Sequence, residues 1–260
     1  MRLFLTLWGA SLRSRMQYKG NFLFSSFSYG MIMLLDFLLL AAILYRFDHI
    51  LGWTIAEVGL LYSISTISMS LYRLLAPEIH NFDTYLIQGD FDTLLIRPVS
   101  PLTLLLTRNL DLSRLGGIVQ GIGVLCLSLA LMWGVRDLQG LLLYLPITLL
   151  SGTAILFSLG LITATLAFWS ERTRDFQSFT LYAPSNAASY PMSVYTGWIK
   201  WLFFTILPVA YMGYVPVAYL LHKGGSWHGL WLSPLIALLS ILIALHIWHI
   251  GIRHYRSTGS

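Results

Sequence analysis

The chain has 260 residues, 57% of them hydrophobic and only 10% charged, with a mean hydropathy of +0.71. Charge this sparse cannot coat a water-soluble globule, because ionised side chains almost all need water; soluble, disordered and collagen-like classes are excluded, and an integral membrane protein remains. The lone Cys126 excludes an intramolecular disulfide and any site built from several cysteines. A net charge of +5 could serve nucleic acid or membrane topology, and the placement of the basic residues decides between them.

In chain order, residues 1–20 read as an amphipathic helix lying in the inner membrane interface. Arg2, Thr6, Arg13 and Gln17 share one side of a helical wheel, and Phe4, Trp8 and Leu12 oppose them. A cleaved leader would need small uncharged residues after the apolar run 3–10, where Arg13, Arg15 and Lys19 stand instead. An apolar layer about 30 Å thick takes roughly 20 residues of helix. Such stretches fall at 22–45, 55–76, 110–135, 141–169, 194–212 and 230–252. The expected fold is an all-α integral membrane domain over 1–260 with six transmembrane helices. Residues 213–229, broken by Pro216 and Gly224-Gly225, are apolar enough to dip into the membrane but not to cross it. They read as an external re-entrant segment.

Asp36 lies midway along the first span, where an acid is costly and turns towards protein or water. Two readings stand side by side: a structural hydrogen bond to Ser65, Thr66 or Ser68, or a contact for a cationic or amphipathic substrate. Glu57, near the outer end of the second span, reads as interfacial. The polar stretch 77–108 interleaves Asp83, Asp90, Asp92 and Arg97 with Phe82, Leu86, Phe91, Leu94 and Leu95. That pattern suits either a surface loop or a short helix lying across the membrane surface with one face free for a soluble partner; Gly89 breaks it and Pro98 stops it. Gly117 and Gly121, extended by Gly123, form a small-residue face for helix packing. His246, His249 and His254 lack the further ligands that zinc requires and read as interfacial or packing residues. No paired-carboxylate, nucleophile or H-E-x-x-H arrangement marks an enzyme, and no metal site is expected.

The basic residues orient the chain. With the N-terminus inside, thirteen of the sixteen Lys and Arg lie at the inner face, and only Arg46, Arg136 and Lys223 lie outside. That bias satisfies the positive-inside rule, puts both termini in the cytoplasm and leaves no need for a nucleic-acid partner.

Ile87-Gln88-Gly89, Asp92 and Leu95-Ile96-Arg97-Pro98 resemble the inner-loop signature of a bacterial subfamily of ABC transporter permeases, within the type-2 exporters. Phe168-Trp169, Tyr190-Pro191, Tyr195, Ile206-Leu207-Pro208 and Tyr214-Val215-Pro216 extend the likeness, and Gly52-Trp53 adds a weaker match. The resemblance implies a permease subunit of the bacterial inner membrane that forms half of an export path. Its implied partners are membrane lipid, a second permease chain in a homo- or heterodimer, and cytoplasmic ABC ATPase subunits. Those subunits would dock on a coupling helix between helices 2 and 3, at Phe82, Leu86, Gly89, Asp90, Phe91, Asp92, Leu94, Arg97 and Pro98, with Asp36 in the substrate path. The sequence has no G-x-x-x-x-G-K-[ST] loop, so this chain is expected to bind no cofactor, and ATP and Mg belong on the partner ATPase. An ion-coupled secondary transporter is the alternative, although one mid-span acid without a visible repeat suits it less well. A reporter fused after Ser260 is expected to be cytoplasmic and one inserted near Gly140 external; an external reading at Ser260 would overturn this topology.

Overall fold

In hydrocarbon no water satisfies peptide groups, so an apolar chain of this kind must bond its backbone to itself. The computed structural model describes residue 9 and residues 19–47, 51–134, 138–170 and 173–255, and these are overwhelmingly helical with no strand among them. The interfacial helix expected over 1–20 lies almost wholly outside the described residues.

Helix α1 (Lys19–Phe47) is followed by α2 (Ile55–Leu75). Thr54 starts α2 with a capping box, its hydroxyl accepting from the Glu57 amide while the Glu57 carboxylate accepts from the Thr54 amide. Four short helices follow: α3 (Pro77–His80), α4 (Phe82–Ile87), α5 (Asp90–Leu95) and α6 (Pro101–Arg108). Gly89, at φ +73°, supplies the left-handed turn between α4 and α5. A 3₁₀ turn, Leu112–Arg114, leads into α7 (Leu115–Met132); α8 (Gln139–Thr165) ends in another at Leu166–Phe168. Next come α9 (Arg174–Gln177), a π segment at Ser178–Tyr182 and α10 (Ala183–Ala187), then α11 (Gly197–Phe204), α12 (Tyr214–Leu220) and α13 (His228–His254).

Among the described residues, five helices are long and apolar enough to cross a membrane: Lys19–Ile43, Ile55–Leu75, Leu112–Met132, Gln139–Phe168 and His228–His254. The span expected at 194–212 is not a single helix. It divides into the eight residues of α11 and a 3₁₀ turn at Val209–Tyr211. Pro208 has no amide to continue a helix across that gap, and eight residues reach only about 12 Å. A helical run occupies 174–187 instead, in the stretch between the expected spans 141–169 and 194–212. It lies antiparallel to α2: Gln177 donates to the His80 carbonyl at 2.6 Å, and Ser65 donates to the Ser185 carbonyl at 2.7 Å.

Helix α2 is the hub, packed most heavily on α7 and α8, and it can come so close because its neighbours present glycine. A Cβ on Gly117 would stand 2.5 Å from Ser70 Oγ, on Gly121 2.6 Å from Ile67, and on Gly152 2.5 Å from Ser68 Oγ. The expected Gly117/Gly121 face is therefore a packing face. Gly123 does not extend it, since a Cβ there would meet nothing within 4 Å. Helix α1 is peripheral, and Leu23, Phe24, Phe27, Leu35 and Leu39 on it are exposed. It is fastened at the start of α7, where a Cβ on Gly116 would collide with the Ser26 carbonyl oxygen. Ser26 Oγ also donates to the Leu112 carbonyl at 2.9 Å.

At the far end of α2, Glu57 is 2% exposed and ion-paired with Lys223 at 2.9 Å. Lys223 also donates to the Gly52 carbonyl and lies over the Trp53 ring. Glu57 is thus an internal strut at the end of the span, its carboxylate satisfying the cap and the lysine together. Gly116→Val is expected to destabilise the protein by about 3 kcal/mol through overpacking at the α1 crossing. Gly123→Val is expected to be neutral; equal thermal midpoints in detergent for the two variants would disprove the close crossing.

Candidate functional site

Three helical stripes at three- and four-residue spacing face one another. Helix α1 contributes Tyr29, Met33 and Asp36, α2 contributes Tyr62, Thr66 and Arg73, and the 174–190 segment contributes Tyr182, Asn186 and Ser189. They enclose a partly open groove of about 400 Å³ whose lining mixes hydroxyl, amide and charged groups with apolar side chains. Aromatic contacts hold the walls in register. Phe37 and Tyr62 lie 5.3 Å apart between ring centroids, and the Tyr62 hydroxyl donates to the Met33 carbonyl at 2.7 Å.

Asp36 stands in this groove, exposed. Its expected structural bonds are not made: Ser65 donates to Ser185 and Ser68 to the Leu149 carbonyl. Among the described residues Asp36 has no hydrogen bond to Ser65, Thr66 or Ser68. At the end nearest the short inner helices, Arg73 is only 8% exposed. One of its terminal nitrogens meets His80 Nε2 at 2.7 Å and donates to the Tyr182 hydroxyl, while its Nε is buried without a partner. Arg114 beside it is ion-paired with Asp111 at 2.9 Å and stacked over the Tyr29 ring at 4.4 Å. Arg73, Arg114 and the 174–190 wall were not among the expected site residues. Their signal in the sequence is the polar recurrence Tyr182, Ser185/Asn186, Ser189, which is a helical stripe.

The second candidate surface is the inner loop. Here the sequence places together residues that the fold separates. Phe82, Phe91 and Leu94 are internal, with Phe91 at 0% exposure. Phe82 packs on Phe91, Phe168 and Trp248 with ring centroids 5.3, 5.3 and 5.0 Å away, and Phe91 packs on Tyr255 at 4.9 Å. Those three expected anchors cannot touch a partner, because the amphipathic segment turns its aromatic face into the protein. Leu86, Gly89, Asp90 and Asp92 are half-buried at the margin, while Arg97 and Pro98 are exposed. The outer face adds Ile87, Leu95 and Ile96, the last 84% exposed.

Glu78 fixes the loop from below α2. It accepts from the Tyr85 hydroxyl and from Asn109, each at 2.6 Å, and Arg108 lies over the Tyr85 ring. Burial raises the Tyr85 phenol well above its ordinary range, and the bond to Glu78 raises it further, so Tyr85 remains a donor. On α13, His249 and His254 bond to backbone carbonyls one turn back, and the described residues hold no cluster fit for a metal.

The sequence model of a family described as ABC-2 family transporter protein matches residues 31–259, nearly the whole chain. No curated protein and no solved structure matches it.

Proposed function

Because the chain belongs to the ABC-2 family of transporter proteins, we propose that it is the permease subunit of an ATP-driven exporter, forming half of a translocation path with a second permease chain. Membership makes it a multi-pass membrane transport subunit rather than an enzyme, and implies partnership with an ABC ATPase in general. The observation that carries the export path is the groove between α1, α2 and the 174–190 segment: a partly open lining that mixes charged, hydroxyl and amide groups with apolar side chains, in a molecule whose other exposed faces are largely apolar. An unpaired Asp36 on that wall suits contact with a polar or cationic part of a substrate.

The same packing supports a revised topology. The fifth crossing is the 174–190 segment, which lies beside α2 from its inner end towards its middle. Residues 194–226 then lie towards the outer face, α12 rising beside α2 as the re-entrant element; its neighbour Gly213 meets Ile64, and Leu220 lies against Gly140. Lys200 moves outside, leaving twelve basic residues inside and four out, which still satisfies the positive-inside rule. Both termini remain cytoplasmic, in a bacterial inner membrane.

The ATPase, carrying ATP and Mg, docks on the exposed edge formed by Ile87, Leu95, Ile96, Arg97 and Pro98. An apolar anchor at the centre of such an interface is worth about 2 kcal/mol or more. Ile96→Asp is expected to release the ATPase subunit on purification while the permease stays inserted; full co-purification with intact transport would place the dock elsewhere. Phe91→Asp cannot test this, because it buries a carboxylate among aromatic rings.

Asp36→Asn is expected to leave assembly intact and to reduce export of a cationic substrate selectively in vesicles, relative to a neutral one. Equal effects on both, or none on either, would reduce Asp36 to scaffold.

A further inference from the structure

We propose that the inner end of the groove is an oxyanion site, built by Arg73 with Arg114, Tyr182 and Asn186, which takes the phosphate-type head of an amphiphilic substrate; this rests on the groove being the translocation path. Arg73 and Arg114 both line this end of the groove, and Asp111 is ion-paired with Arg114. Among the described residues, no carboxylate lies within ion-pair distance of Arg73; Asp111 acts on it only through its field. An arginine cannot shed its proton to escape burial, and a buried charge left without a counter-charge is costly. His80 and the Tyr182 hydroxyl fix the orientation of the guanidinium but bring no negative charge of their own. Its Nε remains unpartnered.

The guanidinium fork suits two oxygens of one planar or tetrahedral anion. Arg114, held over the Tyr29 ring, adds a second positive group, and the exposed Asn186 amide can donate. Asp36 stands level with Tyr62, about 16 Å farther along α2 at 1.5 Å per residue, so the anion is excluded from that end and directed to this one. Between them Met33 and Met69 offer apolar wall, and Leu39, Leu40 and Ile43 continue it beyond Asp36.

The test uses the full chain in nanodiscs of neutral phosphatidylcholine. Binding of fluorescently labelled short-chain phosphatidic acid is compared with binding of the diacylglycerol carrying the same chains and label. The phosphatidic acid is expected to bind more tightly, and Arg73→Gln to weaken it about tenfold while leaving the diacylglycerol unchanged. Arg73 is buried, so Asn186→Asp provides a second route: it places a carboxylate on the exposed wall without deleting the cation, and is expected to weaken the same probe. Inorganic phosphate separates the sources of the anion. Full competition by phosphate supports a free oxyanion as ligand, and binding of the amphiphile alone supports a head group with its chain.

Equal binding of both lipids, or phosphatidic acid binding indifferent to both substitutions, overturns the site. Because the measurement needs neither ATP nor transport, the two readings fail separately. Arg73-independent binding in a chain that exports with its ATPase removes only the site. Arg73-dependent binding in a chain that does not export removes only the path.

Discussion

The close approach of α2 to α7 and α8 is the constraint on which the rest of the molecule depends. Inside a bilayer, lipid chains are as apolar as leucine, so helices associate through tight packing and interhelical hydrogen bonds. Glycines at 117, 121 and 152 let α2 bring Ser70, Ile67 and Ser68 against neighbouring backbone. Of the hydroxyls this buries, Ser68 donates to the Leu149 carbonyl on α8, and Ser70 Oγ has no hydrogen-bond partner among the described residues. With α2 fixed, its remaining face becomes the floor of the groove, and α1 and the 174–190 segment become walls. The groove is therefore a by-product of how the hub is packed. Its polar side chains occupy the face of α2 that glycine contacts do not use.

The inner helices are tied to this hub at two levels. Glu78 bonds the loop to Asn109, and the Asp111 amide donates to the Leu74 carbonyl, which joins α2, α3 and the start of α7. Beneath them Phe82 and Phe91 interlock with Phe168 and Trp248, which end α8 and run through α13. A close-packed aromatic cluster transmits displacement rather than absorbing it. A partner moving the exposed edge at Ile96 would thus move α8 and α13 with it, and through Gln177 and His80 the groove wall as well. That arrangement fits a rigid lever better than a flexible linker.

Much of this was legible in the residues, but unevenly. Membrane character and the five long helices follow from hydropathy alone, because 20-residue apolar runs leave few other solutions. The small-residue face at Gly117 and Gly121 was also readable from spacing. The break in 194–212 was not: the run is apolar overall, and an average gives little weight to Pro208, while the helical run at 174–187 carries enough Ser, Thr and Asn not to register as apolar. Those polar groups are there because they line a groove, which a sequence average counts against a membrane helix. The inner loop failed for a different reason. An amphipathic pattern gives two faces but does not say which one meets protein already present in the chain, and the aromatic face met Phe168 and Trp248.

The ionisable groups divide along the same line. Glu57 is nearly inaccessible, yet it is neutralised by Lys223 and also closes a helix cap, so its charge is spent on holding the Gly52-Trp53 end to the segment after α12. Arg114 and Asp111 likewise satisfy each other at the entrance to α7. Against these closed pairs, Asp36 and Arg73 share one groove and neither has an ion-pair partner among the described residues. Uncompensated charge of this kind works against stability, by more when one partner is missing than when the pair is replaced by apolar groups. Standing on two faces of one groove, about 16 Å apart by helical rise, Asp36 and Arg73 give it a field that changes sign along its length, which is the feature that the proposed passage of a polar-headed molecule would use.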